Sequence, residues 1–423
     1  MMKRLTRSVS LLVLIVLAMT FSAMAAEKVH LVFTAWGGES HWRVYERLAQ
    51  AFNEKYEHIS IEFIPTPDAY VDKMKTNILA GTGPDIYFSQ EMQSVGFIKD
   101  GWFLPLNDYI ENDPTFDIDQ IHSGLFSSFT WEGKIGALPV VTFASMLFYN
   151  PVLLAEAGLA EPESLTWDEL VEYARALTRR GPDGDVIQYG HRIELWPNFY
   201  LYYLWQNEGG VFDEDLRNSI LNSQETIEAV EFIHDLIWGL QVVPKPDEMG
   251  KFLLENNNVG MFTHGSWMIG YYANLFEFDD FAAISSPVGK RAVNMAYPNA
   301  FGISAASKHP DEAWEFLKFA SGPEGQRIIA EGDLGIPVNK DPSVGEAYVS
   351  GPTAIHNMAA LEAVMMAQAP RVVPGMQEVI IDQILGPGLN RVWANEVAPR
   401  TALEEAHRLV QAYLDEFYAS FGR

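Results

Sequence analysis

Seven residues spread along the chain, Trp36, Ser89, Gln90, Glu91, Trp196, Asn198 and Trp267, share a setting: each stands where a strand pattern gives way to a loop or to the start of a helix. Flat indole faces beside side chains that donate or accept hydrogen bonds suit a ligand with a C–H face and a rim of hydroxyls, which describes a sugar ring. Phe199 joins them from a run in which six rings, Trp196 to Trp205, fall within ten residues, more than a helix buried on one face would use. Ser40, Phe143 and Tyr297 join the candidate set, the first from a loop after a strand and the other two from segments that read as crossings between two bodies. Core packing is the ordinary alternative for Trp267, and its position just after His264-Gly265-Ser266 argues for a loop site instead.

Covalent chemistry finds little to work with. The chain has no cysteine, no G-x-S-x-G turn, and ten histidines that never fall at H-x-x-x-H spacing, so neither a metal nor a cofactor is expected. Gly81-Thr82-Gly83-Pro84 ends a helix instead of opening one, which rules it out as a phosphate loop. Acid pairs such as Asp279-Asp280 and Glu404-Glu405 are what chance gives in a chain with 56 acids. Two carboxylates facing each other across a cleft, the requirement of a glycoside hydrolase, stay open at this point, as does a receptor for a polyamine or another non-sugar solute.

The charge narrows the partners. Lys plus Arg number 29 against 56 Asp plus Glu, a net of −27 that moves to −30 once Lys3, Arg4 and Arg7 are set aside. Such a surface repels phosphate backbones and anionic lipid, so no nucleic acid partner is expected. Those three bases form the n-region of a cleavable signal peptide over residues 1–25, with an apolar stretch at 11–19 and Ala23-Met24-Ala25 as the cleavage site. The apolar stretch falls well short of the ~20 residues of a membrane span. Without a cysteine there is no lipid anchor either, and a free, monomeric protein in a periplasm-like space is the expectation.

Positioning the candidate residues takes two α/β bodies. Val29, Leu31, Phe33 and Ala35 alternate as a strand, Ser40 reads as the cap of a helix carrying Tyr45, Leu48, Phe52 and Tyr56, and Ile59, Ile61 and Phe63 alternate again, a βαβ unit. Its Trp36–Ser40 loop lies at the strand's carboxyl end, where open α/β sheets hold ligands. Asp68 starts a second helix, and residues 85–88 form a short buried strand. Residues 135–148 read as one extended, doubly buried segment crossing to a second body, where Thr166 and Glu169 open a helix with a capping box. Residues 295–305 cross back. The last third reads as helices over 361–368, 376–385 and 401–417. The organisation predicted is lobe 1 over 26–141 plus 299–350, lobe 2 over 146–296 plus 352–423, and hinges near 140–148 and 295–302.

The chain resembles the extracellular solute-binding proteins of family 1, the sugar-binding receptors of ABC importers of which maltose-binding protein is a member. The likeness spans the mature chain and rests on AGTGPDIYF (80–88), LPVVTFASMLFYNPVLLAEAGL (138–159), LTWDEL (165–170), VGMFTHGSW (259–267) and GISAASKHPDEAWEFLKFASGPEGQ (302–326). It implies a two-lobed, type II periplasmic-binding-protein fold closing on a ligand, with a membrane permease as partner. By that resemblance Ser89, Gln90 and Glu91 are contact positions, Trp267 is the stacking indole, residues 196–200 line the second lobe, and Arg371 reaches the cleft on a C-terminal loop. Met92 and Phe143 stand where maltose receptors carry acids, which argues against maltose itself.

Overall fold

The computed structural model describes residues 28–275, 281–351 and 353–420; the signal peptide assigned to 1–25 and the Asp279-Asp280 pair lie outside them. Alternating apolar residues build β1 (Val29–Ala35) and β2 (Ile59–Pro65), which pair in parallel on either side of α1 (Glu39–Lys55) in the chain. Val44, Tyr45, Leu48, Ala49 and Phe52 form the buried stripe of α1, at the spacing that one helical face demands. The N-cap of α1 is Gly38 with no side-chain bond, so Ser40 lies inside the first turn and is not the cap its residue type suggested.

Next come α2 (Tyr70–Leu79), capped by Ala69 where Asp68 was expected to start it, and β3 (Ile86–Gln90), parallel to β1. The segment read as one strand is two, β4 (Leu138–Thr142) and β5 (Ser145–Tyr149), which belong to different sheets. All five residues of each strand are buried, which is why the apolar run looked continuous.

Beyond this break lie α3 (Trp167–Leu177), β6 (Arg179–Arg180), β7 (Val186–Ile193), α4 (Pro197–Gln206), α5 (Gln224–Trp238), β8 (Val259–Gly265), α6 (Met268–Leu275) and β9 (Ala282–Ser285). The predicted capping box on α3 is complete, Thr166 accepting from the Glu169 amide and Glu169 accepting from the Thr166 amide, a device that contributes about 1 kcal/mol. Gly190 in β7 lets the α3 backbone approach closely: a Cβ there would sit 1.8 Å from the Ala174 carbonyl oxygen. The ring-rich helix α4 is buried nearly all round, Phe199 to Leu204 without exception.

The chain then returns through β10 (Asn299–Ile303), α7 (Pro310–Ser321), α8 (Pro323–Glu331) and β11 (Ile336–Pro337), and leaves again for α9 (Ala354–Met365), which packs on β5 and β9. The helix expected over 361–368 thus begins earlier and stops at Met365, because Ala367-Gln368 pairs as a short strand with Asn294-Met295. Met376–Leu385 is a π-helix that passes into an α-helix, Gly386–Trp393, and α10 (Pro399–Ala419) closes the described chain.

Two sheets result. The first has the order β11-β4-β10-β3-β1-β2 and the second β9-β5-β8-β7-β6, each mixed parallel and antiparallel. The fold is α/β with two lobes. Phe143-Ala144 joins β4 to β5, and 296–298 leads back into β10. The two connections are tied to each other, Tyr297 donating its amide to the Phe143 carbonyl at 2.9 Å and Phe143 donating to the Tyr297 carbonyl at 3.3 Å.

Candidate functional site

The site centres on these crossings. Strand β8 ends at Gly265, and the indole of Trp267 folds back over that glycine: a Cβ on Gly265 would lie 2.2 Å from the ring carbons. Around the indole stand Tyr297 at 5.3 Å between centroids, His264 at 5.4 Å, Phe143 at 5.5 Å and Phe199 at 5.7 Å, all edge-to-face. Four chain segments meet here, the two crossings, the end of β8 and the start of α4. Edge-to-face contacts use the positive rim of one ring against the negative face of the next, and each adds about 0.5–1.5 kcal/mol beyond burial, so the indole is held in orientation.

Hydrogen bonds fix the crossings as well. The hydroxyls of Ser145 and Tyr297 lie 2.8 Å apart, and Ser266 donates its amide to the Ala144 carbonyl at 2.8 Å while its Oγ accepts from the Ala144 amide at 3.2 Å. Phe143, Phe199 and Tyr297 are buried, whereas Trp267 is only partly so. Its free portion faces a cavity of about 870 Å³ between α1 and α6, lined from one side by Ser40, His41, Arg43 and Arg47 and from the other by Trp267, Tyr271 and Asn274.

A second cavity, about 290 Å³, opens at the carboxyl ends of β1 and β3. Trp36, Tyr70, Asp72, Gln90 and Gln93 line it, and Trp36 remains 47% exposed. The Trp36–Ser40 loop therefore borders both cavities. Glu91, next to Gln90, is 4% exposed, and burial pushes its carboxyl up to about 7, offset in part by a hydrogen bond from its own amide. Its charge reaches the Tyr297 hydroxyl, whose own proton is held more tightly, first by burial.

The predicted residues divide accordingly. Phe143, Phe199, Trp267 and Tyr297 come together; Trp196 stands at the edge of this group, 67% exposed and 6.0 Å from Phe199; Asn198 is joined to it through its carbonyl, which accepts from the Tyr297 hydroxyl at 3.5 Å. Trp36, Ser40 and Gln90 line the cavities. Ser89 does not, being buried with its hydroxyl 2.6 Å from that of Ser94. Arg371 is apart from the rings, in a cavity of about 510 Å³ with Trp205, Phe212 and Asp213.

Sequence reasoning passed over His264, which packs against Phe199, Phe262 and Trp267 and is kept neutral because burial, then Arg192, lowers its pKa to about 3. It also passed over Asn299, the register partner of Gln90. The side-chain oxygens of Asn198 and Asn299 are both buried with no hydrogen-bond partner. Buried acceptors are costly to leave unpaired.

Gly265→Ala is expected to displace Trp267, lowering the melting temperature and weakening any ligand that stacks on the ring, at a cost of about 1–3 kcal/mol. In a Trp267→Ala background the same change should cost far less, and a full double-mutant cycle by thermal unfolding checks this.

Two sheets joined by paired crossings, with a ring-lined cleft at the junction, define a two-lobed ligand-binding protein. A sequence model of the bacterial extracellular solute-binding proteins matches residues 42–327, and the chain belongs to that family. A binding protein of Brucella abortus is 25% identical over 88% of this chain and 89% of its own length. The maltotriose-binding protein of Pyrococcus abyssi is 24% identical over 81% of this chain and 74% of its own. Among solved structures, the ABC substrate-binding protein from Listeria monocytogenes in complex with cycloalternan superposes with a TM-score of 0.82 at 20% identity, over 92% of this chain and 99% of that one. Among the described residues no helix is long and apolar enough to cross a membrane.

Proposed function

We propose that this protein is the substrate-binding receptor of an ABC importer, taking a carbohydrate between its lobes and presenting the closed form to a membrane permease. The observation that carries the reading is the indole of Trp267, locked by rings from both crossings and turned toward the cavity between α1 and α6. Relatives whose names state a saccharide ligand, the maltotriose-binding protein among them, support it. The lobes run over 26–141 plus 299–350 and over 146–296 plus 352–423, hinged near 140–148 and 295–302. The protein acts as a monomer in the periplasm after removal of residues 1–25.

Ligand stacked on Trp267, bonded to Gln90, Glu91 and the Asn198 and Asn299 oxygens, and backed by Trp36 from the first lobe makes all its contacts only when the lobes are shut. Its binding free energy therefore favours the closed state. Screening oligosaccharides against the mature protein by thermal shift is expected to find one that raises the melting temperature, with a smaller radius of gyration on saturation in X-ray scattering. An unchanged scattering profile under saturation rejects closure. New reducing ends accumulating over many turnovers with the bound saccharide would instead make the protein a hydrolase.

A further inference from the structure

Two arginines at the cavity carry charge that a neutral sugar does not call for. Arg43 and Arg47 lie one turn apart on α1, both lining the 870 Å³ cavity. Like charges at this spacing repel by a few tenths of a kcal/mol unless a counter-charge is supplied. For Arg47 it is, by Glu331 at 3.1 Å. Arg43 takes part in none of the ion pairs among the described residues, with Glu39 one turn earlier included, in a chain with nearly two acids for every base. Among the described residues the acid lining this cavity is Asp333, which spends its oxygens on the Thr353 hydroxyl at 3.0 Å and the Asn357 side-chain amide at 3.1 Å.

We infer that the saccharide carries a carboxylate, as in an oligouronide, and that Arg43 receives it while Trp267 stacks on the ring. The inference rests on the receptor reading and sharpens its substrate class. A guanidinium offers two parallel N–H donors that match the two oxygens of a carboxylate, a fit that no hydroxyl reproduces. The cleft is polarised to receive such a ligand one way round. Asp72 stands in the smaller cavity with Trp36, Gln90 and Gln93, and the arginines stand in the larger one, so the acidic unit goes to the α1–α6 end and neutral units to the other.

The test uses matched oligosaccharides that differ only in C6 oxidation, galacto-, gluco- and manno-configured, titrated calorimetrically into the full mature protein at low and at high salt. At least one oligouronide should bind about tenfold or more tightly than its neutral counterpart, with the preference shrinking at high salt. In Arg43→Ala the preference should vanish, and Arg43→Lys should restore only part of it. Neutral members binding as well as or better than the acids, or a preference that survives in Arg43→Ala, overturns the inference and leaves the receptor reading intact. Failure of both series to bind overturns both.

Discussion

Trp267→Ala should weaken saccharide binding by about 30-fold or more while leaving a folded protein, since truncating a central aromatic anchor typically costs 2 kcal/mol or above. The reason lies in how the indole is held. Its edges are fixed by Tyr297, His264, Phe143 and Phe199, and its underside by Gly265, so a ligand that stacks on it loses little freedom in doing so. Trp267→Phe should recover part of the affinity, because a smaller ring leaves C–H surface of the sugar uncovered. The measurement is calorimetric titration with the ligand found by thermal shift, accompanied by circular dichroism to confirm folding. Affinity within twofold of the wild type in Trp267→Ala would remove the indole from the site and the proposed mode of capture with it.

The features of this arrangement that sequence shows are those with a period or a local chemical signature. Alternation marked β1 and β2, the Thr166–Glu169 box marked α3, and rings at strand ends marked Trp36 and Trp267. Features that depend on a distant partner left no such trace. The inner face of α9 carries His356 and Asn357, polar residues that obscure a helical stripe; Asn357 is buried donating to the Tyr348 carbonyl and to Asp333, and His356 is buried stacked on Phe281, none of these partners lying in the helix. The hydroxyl of Ser89 is engaged by that of Ser94, and the Trp267 ring lies on Gly265, contacts that residue type alone does not signal. The crossing was legible as a buried run, but the break at Phe143-Ala144 was not, since both strands are buried along their whole length and nothing in residue type separates one sheet from the other.

The buried carboxyl of Glu91 yields a prediction with a definite sign. Burial holds its pKa at about 7 against an ordinary 4.5, so the folded protein keeps a proton that the unfolded chain releases. Stability from this group is therefore undiminished below pH 4.5, falls as the pH rises toward 7, and is lower by on the order of 3 kcal/mol above it. Glu91→Gln removes this slope: the difference in unfolding free energy between variant and wild type should grow from near zero at pH 4 to its full value by pH 8. Taking the difference cancels groups such as Glu228, whose side-chain hydrogen bonds from Gln224, Asn207 and Lys290 lower its pKa to about 2 and whose contribution is lost only in acid.

Ligand reverses the sense of the effect. In the proposed complex, hydroxyls of the sugar would donate to the ionised carboxylate in place of the water that burial took away and draw the pKa down, so affinity should rise as the pH climbs from 5 through 7 and protons should be released on binding near pH 6. Calorimetry in buffers of different ionisation enthalpy reads that release directly. Proton uptake would mean that Glu91 meets the ligand as a neutral donor, and a binding enthalpy independent of buffer would show that the carboxyl does not touch it.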